Sequence, residues 1–178
     1  VNNSPRPDND SKKVISLIKK AAKDMNKSEL PKARISLLKA LKIQPNNFDC
    51  LQMMALVYQH EKRNENALDY YEKAMLAFNP EFVSTSSYLK VLLNAGQVCS
   101  ELDRYENALE FYSAVLQVDI TNTMALTRRA RLYTENCYLD KAYADHKQII
   151  FFPDREEYRY MGLRFSSHSA IMQSTHIT

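Results

Sequence analysis

The apolar positions of this chain recur at offsets of three and four, the repeat of an amphipathic helix, and they do so in matching blocks. One block type is marked by Ala, a large residue four later, and a small or β-branched residue three beyond that. It reads Ala33–Leu37–Ala40, Ala67–Tyr71–Ala74, Ala108–Tyr112–Val115 and Ala142–His146–Ile149. Each trio falls on one helical face. The small residues let a neighbouring helix approach, and the large one fills the groove between helices. A second type lies upstream of each trio: Ile18–Ala21–Ala22–Met25, Leu51–Met54–Ala55–Tyr58, Leu92–Ala95–Gly96–Cys99 and Leu126–Arg129–Ala130–Tyr133. Ala22, Ala55, Gly96 and Ala130 share a slot where a bulky side chain would force two helices apart. His146 and Arg129 are the two polar residues in slots otherwise apolar, and His146 is expected to be satisfied or half-buried among packed residues.

Short polar turns separate the paired helices: "NKSELP", "HEKRNE", "ELDR" and "TENC". The pairs end at "QPNN", "FNPE", "DITN" and "FFPD", where Pro and Asn act as helix stops and starts. The leading alanines of the trios are spaced by 34, 41 and 34 residues. The longer interval holds seven extra residues within "PEFVSTSSY".

A helix pair recurring at 34 residues, with Ala, a large residue and a closing Pro at set places, resembles the tetratricopeptide repeat. The resemblance covers about residues 15–153, in four copies at about 15–47, 48–81, 89–122 and 123–153. It implies an all-α fold, a right-handed superhelix or α-α solenoid, because one helix pair cannot bury its apolar face alone and stacking makes a continuous core. The domain is expected to span residues 11–165. A cap helix is expected over 155–165, where Asp154 and Glu157 form a capping box and Tyr158, Met161 and Phe165 share a face. Residues 1–10 and 166–178 show no such pattern and are expected to be disordered and flexible. The leading Trp of the family pattern is replaced by Ile or Leu throughout, and repeat 4 matches least.

Composition agrees with a helical, water-soluble chain. Among 178 residues there are two glycines and no tryptophan, with 25% charged side chains. The longest apolar stretches are far shorter than a membrane span requires. The polar opening "VNNSPRPDND" is not expected to be a signal peptide, and the lack of an initial Met leaves room for a start upstream. Three scattered cysteines without a C-x-x-C predict reduced thiols and a cytoplasmic, or else nuclear, address.

No residues are arranged for catalysis, so no enzyme, cofactor or metal is expected. The four histidines lack metal-ligand spacing, and two glycines cannot form a phosphate-cradling loop. Tyr70–Tyr71 and Phe111–Tyr112 read as packing pairs. A binding surface is left. The net charge of +3 hides an excess of +8 over residues 11–45. In the family resembled here, the first helix of each pair lines a concave groove. The resemblance therefore assigns to the groove Lys19 and Lys23 of repeat 1, Gln52 and Leu56 of repeat 2, Lys90, Asn94 and Gln97 of repeat 3, and Arg128 and Arg131 of repeat 4. Their cationic character points to an acidic peptide segment of a partner protein, and so to an adaptor or scaffold module. The family's chaperone-binding members grip a C-terminal carboxylate with a clamp of Lys, Asn and Arg. Lys19 and Lys90 fit it in one frame and Asn94 and Arg128 in another, which gives the alternative of a heat-shock chaperone co-factor. An RNA-binding helical repeat is the weaker rival, because "RRAR" and the basic first helix lack interleaved aromatics.

Overall fold

The computed structural model describes residues 9–151, in which eight α-helices and no strand are found. They are α1 (Asn9–Asn26), α2 (Leu30–Ile43), α3 (Phe48–His60), α4 (Asn64–Leu76), α5 (Thr85–Glu101), α6 (Tyr105–Val118), α7 (Thr123–Glu135) and α8 (Leu139–Phe151). The expected cap helix at 155–165 and the expected tail at 166–178 lie outside the described residues. Helix α1 opens at Asn9, two residues ahead of the boundary expected at residue 11. The chain divides into two compact units, Val1–Val91 and Leu92–Thr178, and the division falls inside α5.

In the first unit α1 packs on α2, α2 on α3, and α3 on α4, and α1 also touches α3. Ala21, Ala33, Leu37, Met54 and Val57 form one buried cluster; Val14, Ala40 and Cys50 form another. The Ala67–Tyr71–Ala74 trio is fully buried, and the Tyr71 hydroxyl donates to Gln59 Oε1 at 2.9 Å. A phenol this deep needs such an acceptor, since an unmade hydrogen bond there would cost more than a made one returns.

In the second unit α6 packs on α7 and α7 on α8. Ala108, Tyr112, Val115, Leu126 and Ala130 are buried, as the pattern predicts. Gly96 is buried too, and a Cβ placed on it would stand 2.7 Å from Tyr112 Cε1. Only a residue without a side chain lets the α6 tyrosine lie this close to α5.

Repeat 4 departs from the expectation for His146. The imidazole is exposed, and its neighbour Asp145 is buried instead. The cause is Arg129. Its guanidinium bridges to Asp145 through two bonds, Nε to Oδ2 at 2.9 Å and Nη2 to Oδ1 at 2.7 Å, and donates from Nη1 to Ser113 Oγ at 3.0 Å. A half-buried guanidinium requires a carboxylate, and one step round the helix from Asp145 turns His146 outward.

The seven extra residues ahead of repeat 3 are not all loop. Helix α5 begins at Thr85 and runs 17 residues, against 13 each for α3 and α7, so repeat 3 starts earlier than residue 89. The added turn carries Tyr88, which stacks on Phe78 with ring centroids 4.2 Å apart, and Phe78 in turn meets Phe48 at 6.3 Å. Ring contacts of this kind contribute beyond their buried area.

The turns within all four hairpins share one device. Ser28, Lys62, Asp103 and Cys137 each adopt φ near +60°. In each, the following N–H reaches a carbonyl five residues back: Glu29 to Asp24, Arg63 to Tyr58, Arg104 to Cys99, and Tyr138 to Tyr133. This is the Schellman helix ending, usually closed by Gly. None of the four is Gly, so each carries a steric cost. Lys62→Gly is expected to stabilise the chain by about 0.5–1 kcal/mol, the relief of that cost less the entropy of glycine. Urea unfolding measures it, and a loss of stability would mean that the Lys62 side chain makes a contact outweighing its strain. Asn47 and Asn122 cap α3 and α7, each accepting a backbone N–H three residues on, from Cys50 and Ala125, at 3.0 Å.

Candidate functional site

The first helices of the hairpins, α1, α3, α5 and α7, carry the residues assigned to a groove. In the first unit, Lys19 and Lys23 are exposed on α1, Gln52 and Leu56 are half-buried on α3, and Lys90 is exposed on α5. Among the described residues Lys19, Lys23 and Lys90 make no ion pair. The second helix α2 differs: its Lys32 is tied to Glu29 at 2.8 Å and its Arg34 reaches Glu61 at 3.4 Å. Uncompensated cations thus lie on α1 and at the start of α5, where they raise the local potential for an anionic ligand.

In the second unit, three of the assigned residues come together. Gln97 of α5 and Arg128 and Arg131 of α7 line one cavity of about 470 Å³. The buried Tyr112 and Leu132 also line it, with Ser100, Glu101, Asp103, Tyr105 and Glu135. Asn94 lies on α5 one turn before Gln97, half-buried, and does not line the cavity.

Both arginines of the cavity are engaged. Arg128 Nη1 donates to the backbone carbonyl of Leu93 at 3.0 Å. Burial pushes the Tyr112 hydroxyl above the usual phenol range, while the charge and hydrogen bond of Arg128 pull it back. Arg131 Nε pairs with Glu135 Oε1 at 2.7 Å, and that bond raises the guanidinium's pKa. Gln97 Nε2 donates to Glu101 Oε1 at 3.0 Å. The carboxylates Glu101, Asp103 and Glu135 are not among the residues assigned from the sequence. The Arg131–Glu135 spacing was the one legible signal.

Outside the cavity, Tyr58 and Tyr70 stack with centroids 5.4 Å apart, with Arg63 over one ring at 4.8 Å and Lys73 over the other at 4.9 Å. Tyr70 therefore packs against Tyr58 under a cation on each ring. Cys50 and Cys99 are buried and Cys137 is exposed in its turn. Burial pushes the Cys50 thiol up to about 12, which holds it protonated and unreactive at neutral pH. Among the described residues no group of three or more His, Cys, Asp or Glu is placed to hold a metal ion, and no helix is long and apolar enough to cross a membrane.

The tetratricopeptide repeat family model matches residues 48–120. No curated protein sequence matches the chain. Among solved structures, the chain is similar to a tetratricopeptide repeat protein from Parabacteroides merdae, with TM-score 0.71 and 22% identity over 85% of this chain and 57% of that one. It is similar to YrrB, described as a TPR protein with an unusual peptide-binding site, with TM-score 0.66 and 20% identity over 76% and 66%. It is also similar to the first TPR of Spaghetti (RPAP3) bound to the HSP90 peptide SRMEEVD, with TM-score 0.63 and 20% identity over 71% and 95%. At these identities the likeness is one of fold.

Proposed function

We propose that this chain, a member of the tetratricopeptide repeat family, is a protein–protein interaction module that binds an extended acidic segment of a partner along its first helices. The observation that carries the reading is the set of exposed lysines, Lys19, Lys23 and Lys90, without ion pairs among the described residues. Gln52 and Leu56 on α3 supply an amide and an apolar contact in the first unit, and in the second unit Asn94 and Gln97 supply amides while Arg128 and Arg131 border the cavity. Lysines held this way attract carboxylates over a Debye length of roughly 8 Å at physiological ionic strength. No arrangement of described residues suggests catalysis, and the fold is one that commonly serves binding.

Binding to an acidic peptide such as hexaglutamate is expected to weaken as salt rises, mainly through the association rate. Lys23→Glu on α1 is expected to weaken it about two- to fivefold, the range of an exposed ion pair. Lys39→Glu on the exposed side of α2 leaves it unchanged. Fluorescence anisotropy at two salt concentrations measures both. Affinity indifferent to salt and to Lys23→Glu would sink the reading. Pull-down with mass spectrometry then identifies the natural partner.

A second reading is a chaperone co-factor that recognises a C-terminal carboxylate. Its support is the partial clamp match of Lys19 with Lys90 and of Asn94 with Arg128, together with the peptide-bound Spaghetti domain of the same fold. Because Arg128 already donates to Leu93, the clamp would have one engaged member. Equal affinity for a free and an amidated peptide terminus would discard it.

A further inference from the structure

The cavity of the second unit is more acidic than its two arginines suggest. Three carboxylates face two guanidiniums there. The cations are committed within the fold: Arg131 is matched to Glu135 at 2.7 Å, and Arg128 is turned to the Leu93 carbonyl at 3.0 Å. Asp103 differs from both. It is exposed in the αL turn between α5 and α6, and it accepts a hydrogen bond from a neutral group, the Tyr105 hydroxyl, at 2.9 Å. The same cavity is lined by Leu132, Tyr105 and Tyr112. A cavity that holds carboxylates together with a leucine and two aromatic rings suits a side chain with a hydrocarbon stem and a cationic head. The tyrosine faces add attraction for that head.

We propose that this cavity receives a lysine or arginine side chain of a partner peptide that is otherwise acidic. The inference rests on the reading that the first helices bind an acidic segment, and it names the residue type that breaks the run of acids. A peptide of one charge throughout would put its own carboxylates against Glu101, Asp103 and Glu135.

The test compares two labelled heptapeptides, six glutamates around a central Lys or a central Gln, titrated by anisotropy at low salt. The Lys peptide is expected to bind roughly three- to fivefold more tightly, the value of a solvent-accessible ion pair, although its net charge is lower. Asp103→Asn, which keeps an acceptor for Tyr105, is expected to abolish the preference, and it should not weaken the Gln peptide, which loses a repelling carboxylate. Glu106→Gln, an exposed α6 carboxylate outside the cavity, is expected to preserve it. Amide shifts in the natural protein at Asp103, Leu132 and Glu135 should respond to the Lys peptide more than to the Gln peptide. Equal affinities, or a preference that survives Asp103→Asn, would overturn this inference alone. Failure of both peptides to bind would overturn it together with the acidic-segment reading.

Discussion

Asp145→Ala is expected to destabilise the protein by about 3 kcal/mol, at the low end of the cost of breaking a buried ion pair because Arg129 keeps some contact with water. The loss arises from what is left behind. Arg129 sits in a slot that is apolar in the other repeats, and Asp145 neutralises it through a bidentate pair on α8. Arginine keeps its proton at any ordinary pH, so once Asp145 is gone the cation cannot escape by losing it. Replacing both partners by Arg129→Met and Asp145→Leu is expected to recover most of the loss, since well-packed apolar groups often match a buried pair. Urea unfolding of the two single variants and the double variant forms the cycle. An Asp145→Ala protein within about 0.5 kcal/mol of the natural one, the range of an ordinary surface change, would show that the pair is not a determinant of stability.

Gly96→Leu is expected to cost about 1–3 kcal/mol through overpacking. Even one added carbon would stand 2.7 Å from Tyr112 Cε1. The ring cannot easily yield, because it is buried. Gly96→Ala is therefore expected to destabilise despite the better helix propensity of alanine, worth about 1 kcal/mol. With Tyr112→Val in place, room opens and the sign should reverse, so that Gly96→Ala stabilises. Thermal melting of the four proteins checks this, and a Gly96→Leu melting temperature equal to the natural one would remove Gly96 from the helix contact.

The helix pairs were legible because their signals are local and repeated. Small residues at Ala33, Ala67 and Ala108, and large ones four later, imprint the packing face on the sequence itself, and all are buried as expected. Gly96 was legible for the same reason. The illegible parts depend on partners distant in sequence or on backbone torsion. Nothing near Arg129 announces Asp145, sixteen residues on, so the inward position of α8 was given to His146. Ser28, Lys62 and Cys137 carry no Gly or Asn to mark the αL turn they occupy. The seven residues inserted before repeat 3 were placed between the repeats, yet Tyr88 stacks on Phe78 and the helix extends to Thr85. In the candidate site, the cations of the first helices could be named through the family resemblance. Their engagement could not, since Leu93 accepts through its backbone.

A chain that repeats itself runs the risk of confusing its own parts. Hairpins with interchangeable apolar faces can dock on the wrong neighbour, within one molecule or between two, and still bury much the same surface. The Arg129–Asp145–Ser113 group works against that confusion. It joins α6, α7 and α8 in one polar match that the other repeats do not offer, with Ala21, Met54 and Ala95 where Arg129 would be. A misplaced last hairpin would carry Arg129 away from Ser113 and into an apolar contact. The group thus acts as an address, and its value lies in the wrong assemblies it penalises. Refolded at high concentration, the Arg129→Met, Asp145→Leu double variant is expected to yield more swapped dimer on size exclusion than the natural chain, even where the two are equally stable; equal dimer fractions would show that the apolar faces already identify their neighbours unaided.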